Sequence, residues 1–163
     1  MLNENILEQI KDTIEHKKLV MDSGYKMCLY LFHNNKDELG FELLNRLSTH
    51  DDSKFTHEEL FGLASISNKK ALTNPNILLS SEQQKIVEIH WKNNKHHPEY
   101  FNNYSEMQEI DIIEMCCDWH ARSIQYGTNL MEFVTVRQEN RFNFPKDMYE
   151  KILEYCNILM TKI

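Results

Sequence analysis

Glycine and proline are scarce in this sequence, which has four glycines and three prolines in 163 residues. A protein of many short strands needs such residues at each of its turns. No segment alternates between apolar and polar residues with the two-residue period that a half-buried strand shows. Leucine, isoleucine, lysine and glutamate are abundant instead. We therefore predict an all-α fold.

The sequence also lacks a basic excess, a long apolar run and a secretory leader. The net charge of −7 argues against a general binder of nucleic-acid duplexes. No apolar run has the length of a membrane span, and the N-terminus MLNENILEQIKD has no signal-peptide pattern. We expect a cytoplasmic protein in a reducing compartment. Without CxxC spacing, its four cysteines are expected to be free thiols: Cys28, Cys116, Cys117 and Cys156.

Apolar residues recur at helical spacing along most of the chain, and we predict one domain, residues 1–163, with about six to seven helices. The predicted helices cover about 4–33, 37–49, 56–67, 80–97, 105–126, 129–140 and 145–161. Thr56 and Glu59 have the spacing of a capping box. Pro98 is expected to end the fourth helix, and Gly127 to close the fifth. Residues 68–79, which include Asn74-Pro75-Asn76, are predicted to be a loop.

Histidine is the residue in excess, with eight copies, and His50 is followed directly by Asp51. Neighbouring residues of a helix point about 100° apart, so this pair can share one metal ion only at a helix end or over a common edge. Lys54 follows three residues after Asp51 and would face the open side of such a site, where a phosphate oxygen can bind. The simpler interpretation is a polar helix end that is exposed to water.

The predicted helix 105–126 is apolar nearly all round, as a central buried helix is. It nevertheless carries a stripe of three carboxylates, Asp111, Glu114 and Asp118. A buried carboxylate is costly unless it is paired or binds a metal ion. An ion pair between Asp118 and Arg122, four residues apart, is the simpler explanation. The alternative is that Asp118 is a metal ligand.

Further histidines flank these segments. His90 and His97 are seven residues apart and share a face of a straight helix, but Pro98 makes the last turn irregular and leaves His96 as an alternative to His97. His16 lies at the edge of an apolar face, where a lone histidine is usually part of the core. Mixed imidazole and carboxylate donors suit Mn, Fe, Zn, Mg or Co. We predict that one or two divalent metal ions are bound, with Asp51 bridging, by His16, His50, Asp51, His90, His97 and Asp118.

The ordered pattern resembles the HD superfamily of metal-dependent phosphohydrolases, which is named for its adjacent His-Asp pair. Many members continue the pair as His-Asp-x-Gly-Lys, whereas this chain has serine at position 53. The resemblance implies an HD-like helical bundle, with His16 (or else His33) as the first ligand and Asp118 as the distant one. The chain resembles more closely a small uncharacterised bacterial and phage family with the motifs HDxSKF, NKHH and EMxxDW. These motifs fall here at residues 50–55, 94–97 and 114–119, and the resemblance covers about residues 10–127.

By this resemblance we expect a phosphohydrolase that uses a metal-activated hydroxide on a small phosphorylated molecule, such as a nucleotide or cyclic nucleotide. Asp51 would anchor the metal ions and Lys54 would neutralise charge on the phosphate. Glu114 would orient a ligand histidine or accept a proton; Glu59 is an alternative for this role, although capping is the favoured one. The alternative functions are a non-catalytic nucleotide- or metal-binding module and a di-iron oxygenase on the same scaffold. Neither a nucleic-acid duplex nor a membrane is an expected partner, and a homodimer is left open.

Overall fold

The computed structural model describes residues 2–66 and 79–161, and this part of the chain is all-helical with no strand. The prediction of an all-α fold with six to seven helices is confirmed. The seven α-helices of the described residues are α1 (Leu2–His33), α2 (Asp37–Thr49), α3 (His57–Ala64), α4 (Ser81–Asn93), α5 (Glu109–Tyr126), α6 (Leu130–Arg137) and α7 (Lys146–Met160). The predicted loop at 68–79 lies outside the described residues except for Leu79.

Short helical turns join several of the α-helices. Turns of the 3₁₀ type cover Asp52–Phe55, Pro98–Tyr100 and Tyr104–Glu106, and a π-helical turn covers Gln138–Phe142. Two predicted helix boundaries were wrong: the start of the fifth helix and the end of the fourth. The fifth helix begins at Glu109 instead of 105, because Asp111 accepts a hydrogen bond from the Gln108 amide and caps the helix there.

The fourth helix ends at Asn93, well before Pro98. The cause is Asn94, whose backbone is extended and whose side-chain amide donates to the carbonyl of His90 at 2.7 Å. An asparagine side chain that bonds to the backbone in this way competes with the helical hydrogen bonds. The following segment is thereby free to turn His96 and His97 independently of α4.

Helix α5 occupies the centre of the bundle and packs against α1, α2, α6 and α7. Every residue from Ile110 to Trp119 is buried, as the apolar circumference of this segment predicts. All four cysteines are buried and free. A smaller apolar cluster of Leu63, Ile66 and Val87 joins α3 to α4. Within residues 2–66 and 79–161, no helix has the length and apolar character that crossing a membrane requires.

Helices α1 and α2 are in close contact at Gly24, where a Cβ atom would overlap the buried side chain of Leu47. Together with the close contact between Gly40 and Phe32, this contact holds α2, and the His-Asp pair that follows it, near α1. Glycine normally weakens a helix interior, so its presence here is explained by the space that Leu47 occupies.

Replacing Gly24 with valine should lower the free energy of unfolding by about 1–3 kcal/mol, because the added methyl groups overpack the α1–α2 contact. Chemical denaturation measures the change. The matched control is Asp22→Val, which puts the same side chain at an exposed position of α1. Equal stability of the two variants would show that the contact tolerates a larger residue.

Candidate metal centre

The structure gathers the predicted ligand residues into one buried cluster. His16 lies on α1, and His50 and Asp51 follow the end of α2. His90 lies on α4, His97 lies in the segment after it, and Asp118 lies on α5. Because these residues come from four separate parts of the chain, only the packing of the bundle brings them together. His33, the alternative first ligand, lies exposed at the end of α1.

The His-Asp pair lies just beyond the last residue of α2. His50 has a non-helical backbone with φ −51° and ψ 127°, and Asp51 has a positive φ of 59°, a left-handed conformation that aspartate and asparagine adopt more readily than most residues. The two side chains are therefore not held apart by the angle that separates neighbouring residues of a helix. Both side chains face the same cluster.

The two carboxylate oxygens of Asp51 face different histidines. Oδ2 lies 3.5 Å from His16 Nε2 and 3.7 Å from His50 Nε2. Oδ1 lies 3.4 Å from His90 Nε2 and 3.5 Å from His96 Nε2. One buried carboxylate thus stands between two sets of imidazoles, which is the arrangement that a bridging ligand needs.

The first set, called here the first donor group, consists of His16, His50, Asp51 and Asp118. Asp118 Oδ1 lies 2.7 Å from His16 Nε2 and 3.9 Å from His50 Nε2. Arg122 does not hold Asp118 as the simpler explanation required. Its guanidinium donates to Gln125 at 2.8 Å and lies 4.0 Å from the carboxylate of Asp12.

The second donor group consists of Asp51, His90, His96 and His97, whose donor atoms all lie within 4.8 Å of one another. His97 Nε2 is 3.0 Å from His90 Nε2. The sequence left His96 and His97 as alternatives, and the structure places both in this group. The turn that follows Asn94 makes this placement possible, because two adjacent residues of a helix would diverge.

Several buried atoms of the cluster have no hydrogen-bond partner among the described residues: Nδ1 and Nε2 of His16, Nε2 of His50, Oδ1 of Asp51 and Nε2 of His96. Four of these five atoms belong to the contacts that define the donor groups. A buried polar atom without a partner costs about 1–3 kcal/mol, and cations bound by the two donor groups would satisfy all four. The histidine and acid clusters can therefore hold a metal ion.

Carboxylates behind the histidines fix their orientation. Glu114 Oε1 lies 2.9 Å from His50 Nδ1 and 3.4 Å from His96 Nδ1, and Glu59 Oε2 lies 2.8 Å from His90 Nδ1. With Nδ1–H donating to a carboxylate, each ring keeps its Nε2 lone pair for a metal ion. Glu114 thus has the contacts of a residue that orients ligand histidines.

Glu59 has side-chain contacts that the capping-box spacing does not predict. The Thr56 hydroxyl accepts from the Glu59 amide as an N-cap, but the Glu59 carboxylate does not complete the capping box. It accepts hydrogen bonds from His90, Asn93 and Ser53 instead. The capping-box spacing predicted the hydrogen bond of the Glu59 backbone amide. It did not predict the partners of the fully buried Glu59 side chain.

Arg46 on α2 is a further residue that the sequence analysis missed. Its guanidinium donates to Asp111 at 2.6 Å and lies 3.4 Å from Glu114, and it also pairs with Glu42 at 3.1 Å. Arg46 therefore braces the carboxylate that orients His50. A cation three to four residues before a His-Asp pair would have been the signal, but surface arginines share that spacing.

Burial and neighbouring charges shift the pKa values of the residues in the cluster. Burial alone would lower the pKa of His50, but the Asp51 carboxylate and the contact with Glu114 outweigh it and raise the pKa to about 9. Burial, with Arg122 adding to it, lowers the pKa of His16 to about 3. Burial would raise the pKa of Asp51, yet the Lys54 ammonium and the surrounding imidazoles hold it well below its usual range.

A cavity with a volume of about 130 Å³ opens beside the cluster. Lys54, which is buried and contacts Asp51 Oδ2, lies in its wall with His90, His97 and Asp118. The rest of the wall combines cationic and aromatic side chains, among them Arg122, Arg137, Arg141, Trp91, Trp119, Phe133 and Phe142. A molecule bound in the cavity would touch the donor groups on one side and these residues on the other.

The chain belongs to DUF5662, a family of unknown function, whose family model matches residues 5–158. The matched range contains both donor groups, the carboxylates behind them and the cavity wall. Neither the curated proteins nor the solved structures gave a match. The family description names no activity, so the residues of the site are the basis for assigning one.

Replacing Asp51 with asparagine should abolish metal binding, because both donor groups lose their shared anion while the left-handed backbone is preserved. Elemental analysis of protein purified without chelator or nickel affinity resin measures the metal content. Asp52→Asn is the matched control, since Asp52 is 56% exposed and pairs with Lys17. We expect metal in the wild type and the control only. Equal metal content in all three proteins, or none in the wild type, would contradict the assignment.

Metal binding should release about one proton per chain near pH 7. His50, with a pKa of about 9 in the metal-free protein, is protonated there, and a metal ion requires the neutral ring. Because the proton must leave, metal affinity should rise with pH up to about 9 and then level off. Calorimetry in two buffers of different ionisation enthalpy counts the protons. Glu114→Gln removes an anion beside His50 and should weaken the pH dependence; an affinity independent of pH would contradict the mechanism.

Proposed function

We propose that the protein is a metal-dependent phosphohydrolase that cleaves a phosphoester of a small molecule such as a nucleotide. The observation that supports this most is the Asp51 carboxylate, shared between two donor groups whose His90, His97 and Asp118 line a cavity together with Lys54. Hydrolysis of a phosphoester needs a nucleophile, a site for the phosphate oxygens and neutralisation of their charge. The cluster and the cavity offer residues for each of these needs.

Divalent metal ions, when bound, lower the pKa of water to near neutrality and neutralise charge on phosphate oxygens. The residues fit such ions, because four buried donor-group atoms have no hydrogen-bond partner among the described residues. His16, His50 and Asp118 would hold one ion with Asp51. The second ion would be held, also with Asp51, by His90, His96 and His97.

The chain's own contribution is mostly orientation. Glu114 and Glu59 set the tautomers of His50, His96 and His90, so that each Nε2 faces inward without reorganisation. Arg46 keeps Glu114 in place through its ion pair. Donors that are fixed before the substrate arrives stabilise the transition state without a further cost of ordering.

Lys54 is the residue proposed to act on the substrate directly. Its ammonium contacts Asp51, is buried, and lies in the wall of the cavity. In this position it can donate to a phosphate oxygen that is bound next to Asp51. Removal of charge-stabilising donors in other enzymes lowers kcat by about 10²- to 10³-fold, so a large effect is expected here.

An anionic substrate is favoured over a neutral polyol, which is one of the two substrates, with a phosphonate, that an oxygenase on this scaffold would use. Besides three carboxylates, Asp12, Glu99 and Asp118, the cavity wall carries four cationic side chains: Lys54, Arg122, Arg137 and Arg141. Such side chains attract phosphate and carboxylate groups and give a neutral molecule little to bind. The same wall would suit a non-catalytic nucleotide-binding module, which the activity test below separates from an enzyme.

Lys54→Met should lower kcat for phosphoester hydrolysis by about 100-fold, while the metal content stays at the wild-type level. Wild-type protein loaded with Mn²⁺ is first assayed against nucleoside monophosphates, cyclic nucleotides and an aryl phosphate, with released phosphate or nucleoside as the readout. Lys18→Met, which removes an exposed lysine from α1, is the control.

Tight binding of a nucleotide without turnover, for all metals tried, would replace the enzyme by a binding module. Full activity of Lys54→Met would remove Lys54 from the proposed mechanism. Absence of both binding and turnover across the panel would contradict the proposed function as a whole.

A further inference from the structure

Ser53 lies in the 3₁₀ turn Asp52–Phe55, directly after the His-Asp pair. Its hydroxyl oxygen is 3.0 Å from Glu59 Oε2 on α3 and 2.8 Å from Asn94 Nδ2, just beyond the end of α4. One hydroxyl group therefore joins the turn after the His-Asp pair to the two elements that carry and orient His90. This position suggests that Ser53 acts on the second donor group.

The directions of these hydrogen bonds follow from the protons that each group carries. The side-chain amide of Asn94 has two N–H donors, and they point to the Ser53 hydroxyl and, at 2.7 Å, to the His90 carbonyl. Because the Ser53 hydroxyl accepts from Asn94, its own proton is donated to Glu59. The Glu59 carboxylate only accepts, and it also receives hydrogen bonds from Asn93 Nδ2 at 2.6 Å and from His90 Nδ1 at 2.8 Å.

Ser53 controls which partner the Asn94 amide finds. Asn94 Nδ2 also lies 3.1 Å from His90 Nδ1. A donor at Nδ1 would move the ring proton to Nε2, the atom that lies 3.4 Å from Asp51 Oδ1 and that a metal ion needs without a proton. Because the Ser53 hydroxyl occupies this N–H group, His90 Nδ1 keeps its proton and its hydrogen bond to Glu59. Loss of the hydroxyl would therefore favour the wrong tautomer of His90.

Asn94 also fixes the turn that follows α4. The His97 amide donates to the Asn94 carbonyl at 3.1 Å, while the Asn94 side chain is held by Ser53 and by the His90 carbonyl. Within residues 2–66 and 79–161, no hydrogen bond joins the side chain of Ser53 or Asn94 to the first donor group. The contacts of Ser53 thus lead to one donor group and not to the other.

We propose that Ser53 is a positioning residue for the second metal ion and not for the first, and that it acts through Asn94 and Glu59. This inference rests on the centre of two metal ions that the proposed function uses. The first ion has its own donors, which Ser53 does not contact. Removal of the Ser53 hydroxyl should therefore convert a site for two ions into a site for one.

The test counts the ions that each protein binds. Full-length protein is dialysed to equilibrium against a series of free Mn²⁺ concentrations, and elemental analysis gives the number of ions per chain. In Ser53→Ala the affinity for the second ion should fall by at least about tenfold and that for the first by less than about twofold. At intermediate Mn²⁺ concentrations, electron paramagnetic resonance should show isolated ions in Ser53→Ala and coupled pairs in the wild type.

Two ligand variants identify the ion that Ser53 serves. His97→Asn removes a ligand of the second donor group, and Asp118→Asn removes one of the first. Added to His97→Asn, Ser53→Ala should change the affinity for the remaining ion by less than about twofold, because the two substitutions affect the same ion. Added to Asp118→Asn, it should lower the affinity by at least about tenfold.

Two further variants separate positioning from a general loss of structure. Ser53→Thr retains a hydroxyl group and should retain the second ion. Ser48→Ala is the matched control, because the Ser48 hydroxyl is exposed and donates at 2.7 Å to the Asn45 carbonyl of its own helix. Thermal unfolding of each variant is measured beside the dialysis.

An equal loss of affinity for both ions in Ser53→Ala, or no loss for either, would overturn the inference. Loss of the second ion in Ser53→Thr, or a wild type that binds fewer than two ions, would overturn it as well. None of these measurements uses turnover. A selective loss of the second ion, in a protein that hydrolyses no phosphoester of the panel, would establish the role of Ser53 and remove the proposed enzymatic function.

Discussion

The site depends on one buried carboxylate. Asp51 is 1% exposed and lies within 3.7 Å of four imidazole rings, with the Lys54 ammonium in direct contact. A lone carboxylate at such a depth would be strongly unfavourable. The Lys54 ammonium and the surrounding imidazoles hold its pKa low, and these imidazoles come from α1, the end of α2, and α4 with the segment after it. The bundle is arranged around this charge as much as around its apolar core.

Helix α5 shows how a buried helix carries charge without losing stability. Its three carboxylates are each matched by a different part of the fold: Asp111 by Arg46 and the helix N-terminus, Glu114 by His50, and Asp118 by His16. Asp111 therefore serves the structure, while the other two lie at the candidate metal centre. The three carboxylates of this stripe have different roles because each one contacts a different neighbour.

The cavity connects two halves of the sequence that look unrelated. The donor groups come from motifs between residues 16 and 118, whereas the arginines and rings opposite come largely from α6 and the turn after it. The π-helical turn ends at Phe142, whose ring stacks on Phe144 and lies near Trp119. Packing of these rings against α5 places Arg137 and Arg141 in the wall of the cavity beside the candidate metal centre. A molecule bound there would be contacted by both halves of the chain.

The sequence by itself determined the all-α fold, the helix positions to within a few residues, and a set of residues suited to metal binding. It could do so because helical periodicity and the cost of burying carboxylates are local properties of the chain. It could not choose between His96 and His97, or see that Glu59 and Arg46 act behind the ligands, since those roles depend on neighbours 31 to 68 residues away. Only the tertiary structure decided that donor atoms of both histidines lie within 4.8 Å of an Asp51 oxygen, because the turn after Asn94 lies outside any regular helix. It alone also set Arg137 and Arg141 opposite the donor groups, since nothing in their spacing indicates which side chains α6 will face.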